Sequence, residues 1–230
     1  MKHNYSKVKV IAFDADDTLW VNETYYREAE QQFCELLSGY ETANKIDQEL
    51  FKTEMQNLSL YGYGIKSFVL SMVETALGLS SHKVDQNIIQ KILQIGKGML
   101  NKPIELLDGV EETLKALKPR YKLVLATKGD LLDQERKLEK SGLNSYFHHI
   151  EILSEKKEEN YRKFLGHLDI KPSEFLMIGN SLKSDILPLI TIGAHAIHVP
   201  FHTTWAYEKV EHNGEGYKTV AALTDVLDLL

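Results

Sequence analysis

Residues 8–18 have the sequence Val8-Lys9-Val10-Ile11-Ala12-Phe13-Asp14-Ala15-Asp16-Asp17-Thr18. The apolar half predicts a short buried strand, and the acids follow where such a strand meets water. Open α/β sheets bind ligands at the carboxyl ends of their strands. Asp14 and Asp16 lie on one side of an extended backbone, because side chains alternate with a period of two. A pair of acids at this position can bind a hard cation, attack an electrophile and exchange a proton.

Two later apolar runs also end in polar residues. The first is followed by Thr127. The second is followed by Gly179-Asn180-Ser181-Leu182-Lys183-Ser184-Asp185. A charged stretch with Lys156 comes after another predicted strand, at 149–153. In a parallel sheet the strand ends point to the same edge, so we expect these polar side chains to meet there.

Helices and strands are predicted to alternate from residue 101 onward. A helix with Asp108 as N-cap and Glu111 as its capping-box partner comes first. It is followed by a strand at 122–127, a helix closed by Gly142, a strand at 149–153, a helix around 161–168, a strand at 175–178, a helix at 182–193, a strand at 194–199 and a closing helix at 219–230. This alternation predicts an α/β fold, with a Rossmann-like parallel sheet and helices on both faces.

Residues 20–100 have a different pattern, with helical spacing and hardly a strand. Apolar residues such as Ala29 and Phe33 recur at intervals of three and four, as on one face of a helix. We therefore predict a core domain formed by 1–19 and 101–230. An all-helical cap at 20–100 is inserted after the first strand and is expected to cover the site.

The composition indicates an ordinary globular protein. The chain has 230 residues, of which 43% are hydrophobic and 26% charged, and its formal net charge is -6. An acidic chain without a dense stripe of Lys and Arg is a poor match to nucleic acid. The apolar runs are too short for a bilayer, and the first residues lack the apolar core of a signal peptide. With Cys34 as its single cysteine, we expect a cytoplasmic protein.

The reaction that fits these side chains is phosphoryl transfer to a carboxylate nucleophile. A phosphate monoester is anionic and repels a carboxylate unless nearby charge is neutralised. Mg²⁺ held by oxygen ligands can supply most of that neutralisation, and a Lys the rest. A Thr hydroxyl can bind a phosphoryl oxygen, while a second carboxylic acid protonates the leaving alcohol. We therefore expect Mg²⁺ as cofactor and a small-molecule phosphate ester as substrate.

The chain resembles the haloacid dehalogenase superfamily, whose members are mostly Mg²⁺-dependent phosphatases. The four ordered motifs of that family match here as Phe13-Asp14-Ala15-Asp16-Asp17-Thr18-Leu19, as Ala126-Thr127, as Lys156, and as Gly179-Asn180-Ser181 with Asp185. The resemblance covers essentially the whole chain, including a helical cap inserted between the first two motifs.

The resemblance implies a role for each motif residue. Asp14 would be the nucleophile that becomes aspartyl-phosphate, and Asp16 would be the acid and then the base. Thr127 would bind the phosphoryl group, and Lys156 would contact both Asp14 and the phosphate. The metal ligands would be Asp14, Asp16 through its backbone carbonyl, Asn180 and Asp185. We also count Lys128, which follows Thr127, among the substrate-binding candidates.

The chain departs from the family pattern at Asn180, where most members have Asp. An amide oxygen can still coordinate Mg²⁺, but the site loses one formal negative charge, so we expect weaker metal affinity. The motif lysine has two candidates, because Lys156 and Lys157 are adjacent in a charged stretch. The spacing to Tyr161 that the family resemblance implies favours Lys156 over Lys157.

Three other functions share features with this pattern. A sugar-phosphate mutase or other phosphotransferase keeps all four motifs. A 2-haloacid dehalogenase has the same fold, but by the family pattern it lacks the second acid, so Asp16 disfavours it. Asn180 leaves room for a weakly catalytic protein that binds a phosphorylated metabolite as a regulator. A monomer and a homodimer are both compatible with the sequence.

Overall fold

Six strands form one parallel β-sheet in the structure, a computed structural model that describes residues 4–230. Along the chain they are β1 (Val10–Phe13), β2 (Lys122–Lys128), β3 (His149–Leu153), β4 (Phe175–Gly179), β5 (His195–His198) and β6 (Lys218–Thr219). Their order in the sheet is β3-β2-β1-β4-β5-β6, so β1 lies between β2 and β4. Every neighbouring pair is parallel. The predicted parallel sheet is confirmed.

The helices are α1 (Glu23–Leu37), α2 (Ala43–Tyr61), α3 (Ile65–Leu79), α4 (Gln86–Asn101), α5 (Val110–Leu117), α6 (Leu131–Ser141), α7 (Glu158–His167) and α8 (Leu187–Thr191). Short 3₁₀ turns occur at Leu143–Tyr146, Pro172–Glu174, Ala206–Glu208 and Leu223–Asp228, and a π-helical turn occurs at Leu182–Ile186. Within residues 4–230, no helix combines the length and the apolar character that crossing a membrane requires.

Both faces of the sheet are buried, because apolar side chains of β1 alternate between them. On one face Phe13 belongs to a cluster that includes Leu114 of α5. On the other face Ala12 belongs to a cluster that includes Phe164 of α7 and Leu189 of α8. Fully burying a side chain the size of Leu or Phe contributes about 1.5–3 kcal/mol. Helices therefore cover both faces of the sheet, as the sequence predicts.

The described chain divides into two compact units. The sheet unit comprises the residues up to Glu23, Ile104–Lys128 and Glu135–Leu230, and the helical unit comprises Thr24–Pro103 and Gly129–Gln134. The helical unit has its own apolar cluster, which includes Phe33, Ile46, Phe68, Met72 and Ile92. The role of this unit as a cap, with the boundaries 20–100, stays a prediction.

The short segment Gly129–Gln134 belongs to the helical unit although it follows β2 directly, a grouping that the sequence did not predict. The Nζ atom of Lys66 lies 2.7 Å from a carboxylate oxygen of Asp130. A Cβ atom at Gly64 would approach Asp130 to 3.2 Å, and the φ of Gly64 is +101°. Glycine suits this position because it tolerates a positive φ and leaves room for Asp130.

The start of α5 differs from the prediction. The N-cap of this helix is Gly109, and no side-chain cap is present, so Asp108 does not form the predicted capping box with Glu111. Gly109 has a φ of +76°, and a Cβ atom there would lie 2.4 Å from Thr224. Because Thr224 in the C-terminal segment lies so close, a residue with a Cβ does not fit at position 109. The helix α5 therefore begins at a glycine, and Asp108 is not its N-cap.

The two last predicted helices are also wrong in part. The predicted helix at 219–230 is instead a two-residue strand, β6, and the 3₁₀ turn Leu223–Asp228. Asp225 accepts hydrogen bonds from the backbone N–H groups of Ala221 and Ala222, at 3.2 and 2.9 Å, and such local bonds compete with a regular helix. The predicted helix at 182–193 is divided into the π-helical turn and α8.

Candidate active site

The carboxyl ends of β1, β2 and β4 meet at one edge of the sheet. Phe13 pairs with Leu125 in β2, two residues before Thr127. It also pairs with Ile178 in β4, two residues before Asn180. The register therefore places Asp14, the residue after Phe13, beside the ends of both neighbouring strands.

Asp14, Lys156 and Asp185 form a buried cluster at this edge. The Lys156 ammonium contacts a carboxylate oxygen of Asp14 and lies 2.7 Å from Oδ1 of Asp185. The Lys156 side chain is only 1% exposed. Tertiary structure thus brings together three charged residues that are far apart in the sequence.

The cluster is electrostatically unusual, because one buried cation faces two carboxylates. The pKa of Asp14 is raised to about 7, because burial and the nearby Asp185 charge raise it by more than the Lys156 ammonium lowers it. Burial acts to lower the pKa of Lys156, but the charges of Asp14 and Asp185 outweigh it and raise this pKa. With both acids ionised, the cluster carries one excess negative charge, which a bound cation would neutralise.

The structure distinguishes the two adjacent lysines. The side chain of Lys157 is 71% exposed, and its Nζ atom lies 3.4 Å from a carboxylate oxygen of Glu155. Lys156 points instead to the buried acids at the sheet edge. Of the two, Lys156 is the one whose position fits the predicted motif.

Thr18 links Asp14 to Asn180. The Thr18 hydroxyl lies 3.2 Å from Oδ2 of Asp14 and 3.3 Å from Oδ1 of Asn180. It also accepts a hydrogen bond from the Asn180 backbone N–H, at 3.1 Å. Sequence analysis assigned no role to Thr18, although its place two residues after Asp16 is a signal that could have found it.

The oxygen atoms at this edge fit a hard divalent cation. Two carboxylates, from Asp14 and Asp185, and the amide oxygen of Asn180 are brought to the same place by Lys156 and Thr18. Mg²⁺ prefers such oxygen ligands and keeps part of its water shell. Among residues 4–230 no group of three His, Cys, Asp or Glu side chains is arranged to hold a metal.

Asp16 lies on the same segment but has different partners. Its Oδ1 atom accepts hydrogen bonds from Trp20 Nε1 and Lys137 Nζ, both at 2.7 Å, and Oδ2 lies 3.0 Å from the same lysine. Lys137 also lies 3.0 Å from Oδ1 of Asn22. The sequence provides no local signal for Lys137, which is 121 residues from Asp16.

Asp17 supports the backbone at the start of α1. Its carboxylate accepts hydrogen bonds from the backbone N–H groups of Asn22, at 2.8 Å, and Glu23, at 3.0 Å. Burial raises the pKa of Asp17 to about 8, although the two N–H donors lower it. A carboxylate that accepts the first N–H groups of a helix stabilises that end of the helix.

Thr127 and Lys128 lie together at the end of β2, but their side chains differ in surroundings. Thr127 is buried, with its hydroxyl 3.5 Å from the backbone oxygen of Lys128. The Lys128 ammonium lies 2.9 Å from the Ser184 hydroxyl and forms an ion pair with Glu208. Lys128 therefore has anionic and polar partners within the protein, and sequence analysis did not single out Glu208.

Gly179 leaves space for the carboxylate of Asp185. A Cβ atom at residue 179 would lie 2.4 Å from Oδ2 and 2.6 Å from Cβ of Asp185. We predict that Gly179→Ala displaces Asp185 and lowers the free energy of unfolding by about 1–3 kcal/mol, the usual cost of overpacking. Urea denaturation measures this change, with Gly166→Ala in α7 as the control.

Gly166 is a suitable control because an added Cβ there would meet no atom within 4 Å apart from its chain neighbours and the backbone of its own helix. In a helix, alanine in place of glycine is expected to add up to about 0.5–1 kcal/mol. Equal stability of the two variants would show that Asp185 adapts without cost.

The match to a protein family agrees with this geometry. Residues 8–193 match the family described as haloacid dehalogenase-like hydrolase. This chain therefore belongs to the haloacid dehalogenase-like hydrolases, as its ordered motifs predict. A hydrolase from this family in Xanthomonas campestris has a similar structure, with a TM-score of 0.87, 38% sequence identity, and coverage of 97% of this chain and 92% of that chain.

Two more distant relatives carry more specific descriptions. The N-acylneuraminate-9-phosphatase of Mus musculus is 26% identical over an alignment of 202 residues, with coverage of 83% of this chain and 82% of that protein. The HAD-hydrolase YfnB of Bacillus subtilis, bound to magnesium, has a TM-score of 0.66 and 16% identity, with coverage of 97% of this chain and 98% of that chain. At that identity YfnB shows likeness of fold alone.

Proposed function

We propose that this hydrolase is a Mg²⁺-dependent phosphatase that acts on the phosphate monoester of a small metabolite. The observation that carries the proposal is the buried Asp14–Lys156–Asp185 cluster at the carboxyl edge of the sheet. A carboxylate nucleophile, a fixed cation and a second metal-binding acid are what phosphoryl transfer to aspartate requires. The mouse relative, a phosphatase by name, supports a phosphate ester as the substrate.

In the first step Asp14 attacks phosphorus and forms an aspartyl-phosphate, while the bond to the leaving alcohol breaks. Asp16 in its acid form gives its proton to the departing oxygen. Lys156 stabilises the charge that the phosphoryl group brings next to Asp14. Thr127, at the end of β2, would donate a hydrogen bond from its hydroxyl to a phosphoryl oxygen.

In the second step Asp16 takes a proton from water, and the water oxygen attacks phosphorus. Inorganic phosphate leaves, and the Asp14 carboxylate is restored. The ion pair between Asp16 and Lys137 stabilises the carboxylate that remains after the first proton transfer, which is the form needed as a base. Asp14, Asp185, Asn180 and the backbone carbonyl of Asp16 would hold Mg²⁺, which when bound supplies positive charge next to the phosphate.

The helical unit is proposed to serve as the cap that selects the substrate, as the family resemblance implies. Caps of this kind exclude bulk water during reaction and choose among leaving groups. The substrate screen for this protein should therefore include sugar phosphates and N-acylneuraminate 9-phosphate beside small test esters.

The first test is release of phosphate from an aryl phosphate, with Mg²⁺ and with a chelator, followed by the natural phosphate esters. We expect turnover that requires Mg²⁺. Halide release from a 2-haloacid without Mg²⁺ would point instead to a dehalogenase. Transfer of the phosphoryl group to a second sugar would indicate a phosphotransferase. Binding of esters without turnover of any of them would favour a regulatory protein.

The departure at Asn180 leads to a separate prediction. Asn180→Asp restores the family's usual charge, and ligand charge strongly tunes cation affinity. We expect the Mg²⁺ concentration for half-maximal activity to fall about 10-fold, and the Mg²⁺ dissociation constant from calorimetry to fall in parallel. Asn180→Ala, which removes the amide oxygen, should change both quantities in the opposite direction. An unchanged Mg²⁺ requirement in Asn180→Asp would show that residue 180 does not contact the metal.

A further inference from the structure

Glu208 is a largely buried carboxylate that the proposed chemistry leaves without a role. It lies in the 3₁₀ turn Ala206–Glu208, in the segment that follows β5, and its side chain is only 10% exposed. Its Oε2 atom accepts hydrogen bonds from the hydroxyls of Ser181, at 2.5 Å, and Ser184, at 2.6 Å. Its Oε1 atom forms the ion pair with Lys128.

The partners of Glu208 are chain neighbours of the proposed site residues. Lys128 follows Thr127 at the end of β2, Ser181 follows Asn180, and Ser184 precedes Asp185. Glu208 therefore joins the last residue of β2 to the segments that follow β4 and β5. The sequence separations are 80, 27 and 24 residues, so each of these contacts joins segments that are distant along the chain.

Two further hydrogen bonds connect the residues that Glu208 contacts with Asp185. The Ser181 hydroxyl accepts a hydrogen bond from the Ser184 backbone N–H at 3.0 Å. The Ser181 backbone N–H donates to Oδ2 of Asp185, also at 3.0 Å. The orientation of Asp185 toward Lys156 thus depends on the conformation of the turn that Glu208 holds.

Charge explains why a carboxylate occupies this position. Burial acts to raise the pKa of Glu208, but the Lys128 ammonium and the two serine hydroxyls outweigh it and lower the pKa. A largely buried carboxylate that accepts from one cation and two hydroxyl donors is strongly oriented, because both of its oxygen atoms have fixed hydrogen-bond partners. The same ion pair fixes the Lys128 ammonium beside Ser184.

We propose that Glu208 is a positioning residue of this active site: it orients the turn that carries Asp185 and holds the Lys128 ammonium in place. The proposal rests on the phosphatase function proposed above. Glu208 acts through Ser181, Ser184 and Lys128 and is not one of the proposed substrate or metal ligands. Partners of metal ligands typically affect metal affinity or activity about 10–100-fold when they are replaced.

The test compares Glu208→Gln with Glu211→Gln, the same substitution at an exposed position of the same segment. In Glu208→Gln we expect the Mg²⁺ dissociation constant, measured by calorimetry, to rise about 10-fold, and kcat to fall about 10–100-fold. KM for the phosphate ester is expected to change little. Both variants are assayed well below their unfolding temperatures, and Glu211→Gln is expected to match the wild type in every measurement.

Ser184→Ala is the milder variant, because it removes one hydroxyl and keeps the charge pair. Its Mg²⁺ affinity and kcat are expected to fall about 3- to 10-fold, and the result remains decisive if Glu208→Gln does not fold. A loss of thermal stability in either variant with wild-type Mg²⁺ affinity and kcat would show a purely structural role and overturn the inference. A wild-type protein that neither binds Mg²⁺ nor hydrolyses any ester would overturn the proposed function together with this inference.

Discussion

Asp14→Asn is expected to lower kcat for phosphate-ester hydrolysis by about 10⁴-fold or more, in the range observed when catalytic nucleophiles are removed. An amide nitrogen or oxygen does not replace the carboxylate as a nucleophile toward phosphorus. The side chain keeps its size, and Lys156 keeps Asp185 as an ionic partner at 2.7 Å, so the variant should remain folded. Initial rates with an aryl phosphate and Mg²⁺ measure the effect.

A matched control for Asp14→Asn is Asp108→Asn. Asp108 is an exposed aspartate of the same unit that does not serve as the N-cap of α5. Its substitution is expected to leave kcat within about two-fold of the wild type, as is usual for surface positions without specific contacts. Asp14→Asn with a tenth or more of the wild-type rate would assign the nucleophile to another residue.

Lys156→Met is expected to cause the largest loss of stability, together with a loss of activity. It leaves the buried carboxylates of Asp14 and Asp185 without the cation that both contact. Breaking a buried ion pair by removing one partner typically costs about 3–5 kcal/mol. In a chain of this size that corresponds to a fall in Tm of about 10 °C or more. Differential scanning calorimetry and urea denaturation measure the change.

Lys157→Met is the natural control, because it makes the same substitution one residue away. The Lys157 side chain is 71% exposed, so its loss is expected to cost less than about 0.5 kcal/mol. Similar stability and activity for both variants would contradict the placement of Lys156 in the buried cluster.

Much of the candidate site follows from the ends of the apolar runs. Asp14, Thr127 and Asn180 each come directly after such a run or after its last glycine, and the parallel register brings these positions to one edge. The strand ends can be located from the sequence because a strand of a buried parallel sheet has apolar side chains on both faces. Lys156 could be placed near this edge in the same way, since it comes shortly after β3.

Other parts of the site have no local pattern to find. Glu208 lies in the segment after β5, and Lys137 lies on α6, where charged residues are ordinary on a helix surface. Each becomes significant only through partners that are distant in the sequence, Lys128 for Glu208 and Asp16 for Lys137. Helix ends were also mispredicted where contacts decide them, as at Gly109 beside Thr224.

The family, the parallel α/β sheet and the residues at the strand ends could be predicted before the fold was known, because they depend on order, spacing and hydrophobic pattern along the chain. The partners that those residues contact became known only from the folded chain. It set Lys156 between Asp14 and Asp185, Lys137 beside Asp16, and Glu208 beside Lys128. The reason is that a buried charge is stable only with its partner in contact, and the folded chain alone brings such distant partners together.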